Sequence, residues 1–288
     1  MSENTRWMRM LAATVMVAVM LPSSADAAPG APGKPKPRPD CGAQVFYKAS
    51  GAAWKCTFAD EFSGTSLDTS KWTVQQTAGS QECFSAKNVV VAGGVLSLTT
   101  QKVETPVTCG STTSSYTSAQ VSGYGKYAQL NGRFEVRAAF PAAQVAGLQS
   151  ALWMWPVDAN KYGAWPGSGE IDIAEMYSTY PDRAIPYVHY NSPSTDHTVT
   201  NNYCMISDVS AFHTYVVEWT ATNITVTYDG QTCLDHTINS VSPLGASGPF
   251  DQPFFMVLTQ MLGVGDNAPT TSTPLPATTQ IDYVRMWS

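Results

Sequence analysis

Gly169-Glu170-Ile171-Asp172-Ile173-Ala174-Glu175-Met176 carries three carboxylates in six residues, set among Ile171, Ile173 and Ala174. Side chains alternate across a strand, so Glu170 and Asp172 share one face while Ile171 and Ile173 share the other. Glu175 lies five positions after Glu170. A regular strand would put it with the isoleucines, where a lone carboxylate is costly to bury. One extra residue near Ile173-Ala174, a β-bulge, returns Glu175 to the carboxylate face, and bulges recur beside active sites. The stretch therefore reads as a bulged strand with an apolar back and three acids aimed at one cleft.

Taken alone, three charges on one strand suit an ordinary solvated face. Two features weigh against that reading. Asp, Glu, Lys and Arg make up only 13% of the chain, and no basic residue lies between Lys161 and Arg183. Like charges crowded on one face repel, and nothing nearby in sequence compensates them. The cluster costs stability. Closely set carboxylates with split pKa values suit acid/base and nucleophilic work.

The rest of the chain supplies strands to hold such a cleft. In residues 94–103, Val95, Ser97 and Thr99 alternate with Leu96 and Leu98. In residues 133–140, Phe134, Val136, Ala138 and Phe140 take one face against Arg133, Glu135 and Arg137. Residues 214–219 and 224–228 flank a polar turn, and Asp229-Gly230 is a hairpin signal. Residues 254–258 are continuously apolar, as in a strand buried on both faces. No convincing helix and no repeat of about 20–50 residues stands out, so the pattern predicts an all-β sandwich or barrel rather than a propeller or solenoid.

Residues 1–27 read as a secretory signal. Arg6 and Arg9 lead an apolar run over 11–21, and Ala25-Asp26-Ala27 supplies a small-residue cleavage site. That run is too short to span a bilayer. Residues 28–40, Pro- and Gly-rich, read as an extended linker. One folded domain is then expected over residues 41–288. Arg6 and Arg9 cancel Glu3 and Asp26, and the linker sets Lys34, Lys36 and Arg38 against Asp40, so a total charge of −6 leaves −8 on the domain. Such a domain repels nucleic acid and, more mildly, sulfated polysaccharides, whereas a neutral glycan meets no repulsion. The mature chain is expected to be extracellular, free of the membrane and monomeric.

The six cysteines are Cys41, Cys56, Cys83, Cys109, Cys204 and Cys233. An even number in an exported chain implies disulfides, though six cysteines allow 15 pairings. The absence of Cys-x-x-Cys speaks against zinc or thioredoxin-type use. Pairing of sequence neighbours is the expectation: Cys41 with Cys56, Cys83 with Cys109, and Cys204 with Cys233 across a hairpin. None of His189, His197, His213 and His236 has metal-site spacing.

The pattern Glu-x-Asp-x-x-Glu after Trp165-Pro166-Gly167-Ser168-Gly169 closely resembles the signature of glycoside hydrolase family 16. Its longer, bulged form is similar to the laminarinase branch, the endo-β-1,3-glucanases. The likeness extends over most of residues 54–288. It includes Phe58-Ala59-Asp60-Glu61-Phe62, Gly132-Arg133-Phe134-Glu135-Val136-Arg137, Leu152-Trp153-Met154 and Ile281-Asp282-Tyr283-Val284-Arg285.

This resemblance implies a β-jelly-roll sandwich of the concanavalin A-like lectin and glucanase architecture, with a catalytic domain over residues 41–288 that cleaves β-glucan with retention. It implies Glu170 as nucleophile, Glu175 as acid/base, and Asp172 as the residue that hydrogen-bonds and orients Glu170. Trp153 and Trp165 would line the sugar cleft, since aromatic faces suit the apolar face of a pyranose. His189 is expected to contact sugar, as is Gln260, which stands where the branch more usually has Asn. The chemistry would need no cofactor. A structural calcium on the convex sheet is implied, held by the Glu61 and Gly94 carbonyls and the Asp282 carboxylate. The expected partner is a laminarin-type β-glucan. The alternatives are a family enzyme acting on mixed-linkage glucan or galactan, and a non-catalytic jelly-roll lectin. Fold alone does not separate these, but a pure binder has no need of the acid trio.

Overall fold

The computed structural model describes residues 39–241 and 248–288. The predicted signal and all of the predicted linker except Pro39 and Asp40 lie outside the described residues. The early strands are β1 (Cys56–Asp60), β2 (Thr73–Val74), β3 (Cys83–Phe84), β4 (Val89–Ala92), β5 (Val95–Cys109), β6 (Thr112–Ser122) and β7 (Gly132–Ala139). The cleft-forming strands follow: β8 (Leu148–Pro156), β9 (Glu170–Tyr177) and β10 (Ile185–His189). The chain closes with β11 (His213–Trp219), β12 (Asn223–Tyr228), β13 (Gln231–Thr237), β14 (Phe254–Leu262) and β15 (Ala277–Trp287). Among the described residues the helical structure is two short 3-10 turns, as the absence of helical periodicity predicts.

The strands form a jelly-roll sandwich. Its front sheet runs β10-β9-β8-β14-β6, and its back sheet runs β5-β15-β7-β11-β12-β13, with β5 and β6 joining the two. Strand alternation builds the interior. Phe134, Val136 and Ala138 from β7 meet Ile171 and Ile173 from β9, Leu152 and Met154 from β8, and Leu258 from β14, all buried in one cluster. Burying each large side chain contributes about 1.5–3 kcal/mol. The β12–β13 hairpin turns at Asp229-Gly230, both with positive φ (48° and 79°), as a tight primed turn requires.

Three disulfides join Cys41 to Cys56, Cys83 to Cys109, and Cys204 to Cys233, each linking sequence neighbours. The last closes a separation of 29 residues and ties the segment after β10 to β13. In the chain-entropy account a loop of this length stabilises by roughly 3–4 kcal/mol.

Candidate active site

The three acids all come from β9. Against β10, Glu170 pairs with His189, Asp172 with Tyr187, and Glu175 with Ile185, so three steps along β9 match two along β10. Against β8, Ala174 pairs with Leu152 and Asp172 with Trp153, leaving Ile173 as the extra residue. This is the bulge that the acid spacing demands. The Ile173 carbonyl, displaced from the ladder, accepts a hydrogen bond from the buried Tyr228 hydroxyl at 2.8 Å. The back sheet thus pins the bulge from beneath. Gly169 sets the entry to the strand: its φ is +84°, and a Cβ there would stand 3.0 Å from Phe250 and Pro249. Only glycine meets both demands without strain.

Each acid has its own partners. Glu170 Oε2 accepts from Trp165 Nε1 at 2.5 Å. Asp172 Oδ2 lies 3.1 Å from His189 Nε2. Glu175 Oε1 accepts from both Tyr177 Oη at 2.8 Å and Gln149 Nε2 at 3.0 Å. The His189 ring stacks on Tyr187 at 3.8 Å and stands 5.3 Å from the Trp165 ring. On β8, Trp153 and Trp155 are half-buried and meet edge to face at 5.7 Å. Trp153 Nε1 donates to Thr259 Oγ1, which donates to Gln120 Oε1.

These surroundings move the acids in one direction. Burial raises the carboxyl of Glu170 well above the usual range, reinforced by the Asp172 charge and opposed by His189 and Trp165. Burial also holds Asp172 well above its usual value, with Glu175 adding to the rise. Glu175 is raised too, again by burial, against the pull of Tyr177, His189 and Gln149 toward the ionised form. The trio therefore retains protons that exposed carboxylates would have lost. Donor atoms of Asp172, Glu175 and His189 lie within 4.8 Å of one another, a spacing that would also admit a cation. Burial raises the proton affinity of the two carboxyls, Asp172 and Glu175, which suits them to holding protons.

The structure brings Trp153, Trp165 and His189 to the acids but corrects one expectation. Gln260 is fully buried. Its Oε1 accepts from Ser150 and Thr279, each at 2.7 Å, on the interior side of β14. Alternation places its neighbour Thr259 on the cleft face instead. Asp172 Oδ2 also meets His189, and its charge raises the Glu170 carboxyl. Tyr177, Gln149, Thr259 and Gln120 were not anticipated. Tyr177 was within reach, because it lies two residues after Glu175 on the same strand face.

The positions implied for calcium converge through strand register. β1 pairs Asp60 with Val284, and β5 pairs Leu96 with Ile281, which brings Glu61 and Gly94 alongside Asp282. The Glu61 carboxylate is engaged by Arg285 at 2.7 and 2.8 Å, so only its carbonyl remains for a cation. Asp282 Oδ2 accepts from Arg137 at 2.5 Å, leaving the other oxygen. Two carbonyls and one carboxylate oxygen are hard donors of the kind calcium takes.

A jelly roll whose front sheet carries a bulged strand of three acids beside indole rings defines a carbohydrate-type cleft. The family model for "Glycosyl hydrolases family 16" matches residues 76–285, and the chain belongs to that family as a laminarinase-like member. It is 29% identical over 267 residues to glucan endo-1,3-beta-glucosidase A1 of Niallia circulans, covering 82% of this chain and 38% of that protein. It is 30% identical over 260 residues to the beta-glucanase of Rhodothermus marinus, covering 81% and 85% respectively. Its fold is similar to the endo-beta-1,3-glucanase of Pyrococcus furiosus, with TM-score 0.73 and 27% identity over 85% of this chain and 97% of that one. The chain spans 38–44% of the length of the first three curated relatives it matches.

Proposed function

We propose that the protein is a secreted, retaining endo-β-1,3-glucanase that cuts laminarin-type chains internally. The observation that carries this reading is the asymmetry of the two glutamates: Glu170 faces an indole N–H, whereas Glu175 faces a phenol and an amide. In the first step the Glu170 carboxylate attacks the anomeric carbon while Glu175 gives its proton to the departing glycosidic oxygen. In the second, ionised Glu175 takes a proton from water, whose oxygen displaces Glu170 and releases the sugar. Esterification removes the Glu170 charge that is coupled to Glu175, so Glu175 ionises more readily for its second task. Asp172 and His189 tune the charge beside Glu170. Trp153 and Trp165 stack on sugar rings.

Residues 1–27 would serve as the signal, 28–40 as the linker and 41–288 as the catalytic unit. Three disulfides support export, and no helix among the described residues is long and apolar enough to cross a membrane. Calcium bound by Glu61, Gly94 and Asp282 would supply stability rather than chemistry. The test is digestion of laminarin, lichenan, agarose and carrageenan, followed by azide rescue. Laminarin should give short oligosaccharides fastest. Glu170→Ala with azide and an activated β-glucosyl fluoride should give the α-glucosyl azide. A β-product would reverse the assignment of the nucleophile, and faster cleavage of agarose than of laminarin would remove the glucanase reading.

A further inference from the structure

Trp165 reaches Glu170 from the loop between β8 and β9, residues 157–169. Its ring is 43% exposed, so the loop backbone rather than packing on the indole sets its place. Fixing an irregular loop costs conformational entropy, which bonds from elsewhere must offset. Three side chains supply them. The buried Ser168 hydroxyl accepts from Tyr162 N at 3.0 Å and donates to Gly163 O at 3.1 Å. The loop is so tight here that a Cβ at Gly167 would stand 2.6 Å from Tyr162 O. The other two side chains lie about 90 residues along, just before β14. Gln252, 5% exposed, spans both ends of the loop: Oε1 accepts from Asp158 N at 3.2 Å, and Nε2 donates to Ser168 O at 3.4 Å. Asp251 takes its middle, accepting from Tyr162 Oη at 2.6 Å and from Lys161 Nζ at 3.0 Å. The Lys161–Asp251 pair is exposed and contributes little by itself. The buried amide is the stronger hold, because its loss strands two backbone groups.

Glu170 is faced by Asp172, Glu175 and Tyr177 along β9, by His189 on β10 and by the Trp165 indole. Of these groups the indole alone is carried by an irregular loop. Burial and the Asp172 charge raise the Glu170 carboxyl, and the indole bond works against them. That bond favours the carboxylate form, the one able to attack.

We infer that Gln252, aided by Asp251, is a positioning residue that holds the β8–β9 loop so that Trp165 stays bonded to Glu170. Its catalytic consequence rests on the glucanase reading above. The test has one readout without substrate and one with laminarin. In nuclear magnetic resonance the Trp165 indole N–H, identified by its loss in Trp165→Phe, should titrate with pH in the parent and not in Glu170→Gln. In Gln252→Ala it should move toward the position of a free indole. On laminarin, Gln252→Ala and Trp165→Phe should each lose about tenfold in kcat/KM, as loss of a bond to a charged group does. Both should shift the acid limb to higher pH, because the donor favouring the Glu170 carboxylate is gone. The double variant should lose no more than Trp165→Phe alone, since both act through one bond. If Gln252→Ala does not fold, Tyr162→Phe carries the test, with a smaller change in the same direction. An indole resonance unmoved in the folded variant, or losses that simply add, would overturn the positioning role and leave the glucanase reading standing. A parent protein that cleaves no laminarin, with the indole still displaced in Gln252→Ala, would remove the glucanase reading and leave the hold on Trp165.

Discussion

The two sheets treat their carboxylates in opposite ways. On the back sheet, Glu135 is almost fully buried but accepts from Arg133 at 2.6 Å and from the Tyr283 hydroxyl at 2.8 Å. Glu218 shares Arg133, Asp282 meets Arg137, and Glu61 meets Arg285. On the front sheet, Glu170, Asp172 and Glu175 crowd one strand, and their partners are an indole, an imidazole, a phenol and an amide. Matched charges hold the fold together. Unmatched ones keep their protons mobile, as acid/base chemistry needs.

The same substitution should therefore have opposite effects on the two sheets. Glu170→Gln should lower kcat by a factor on the order of 10⁴ or more, as removal of a nucleophile does. It should not destabilise the fold. The folded-state pKa of Glu170 lies above its ordinary value of 4.5, so its charge opposes folding as pH rises through the raised value. Neutralising it should raise the melting temperature at neutral pH and change nothing well below pH 4.5, where the parent carboxyl is protonated in both states. Glu135→Gln should instead leave Arg133 with Glu218 as its one carboxylate partner and weaken the bonds from Arg133 and Tyr283, costing about 1–3 kcal/mol, with kcat per folded molecule retained. Thermal melts and active-site-normalised kinetics on both variants check the contrast. A destabilised Glu170→Gln protein would break it.

Much of this contrast could be read from sequence. The acid spacing demanded a bulge, and Phe134, Val136 and Ala138 announced the inward face of β7. What escaped were features set by pairing between distant segments. β14 lies inside the front sheet, between β8 and β6, with both faces covered, so residues 254–258 are apolar throughout and conceal the strand's phase. Whether Thr259 or Gln260 faced the cleft could not be read from such a run. Gln149 reaches Glu175 only because β8 pairs Gln149 with Tyr177 across 28 residues of chain. The bonds from Gln252 to both ends of the β8–β9 loop likewise belong to the folded sheet rather than to either local segment.

Tyr228 connects the two sheets and tests whether the matched layer supports the unmatched one. Tyr228→Phe should leave the Ile173 carbonyl without its partner, costing about 1–3 kcal/mol. Because that carbonyl sits in the bulge between Asp172 and Glu175, kcat should fall while KM stays near the parent value. A stability loss with unaltered kcat would show that the bulge holds its shape without Tyr228.

A smaller effect should follow from Tyr177→Phe. The Tyr177 hydroxyl donates to Glu175 and favours its ionised form. Its loss should raise the Glu175 pKa, so the general acid stays protonated to higher pH. The alkaline limb of the kcat/KM profile should move upward, with the acid limb, set by Glu170, in place. Movement of the acid limb alone would assign the roles the other way round.

The smallest effect concerns Asp282, where the back sheet's own pairing competes with calcium. The Asp282–Arg137 pair is about one-third exposed on both sides, at 36% and 38%, and is worth no more than about 1 kcal/mol by itself. A calcium ion at ten times its Kd would add about 1.4 kcal/mol, or roughly 3–5 °C in melting temperature. Chelation of the parent protein should therefore lower its melting temperature by that amount, and added calcium should restore it. Asp282→Asn should start slightly below the parent and respond to neither treatment, with kcat unchanged because the site lies on the sheet away from the acids. If the parent too is indifferent to chelator and calcium, Asp282 belongs to Arg137 alone. The back sheet would then be charge-matched without a metal, which sharpens its difference from the acid strand opposite.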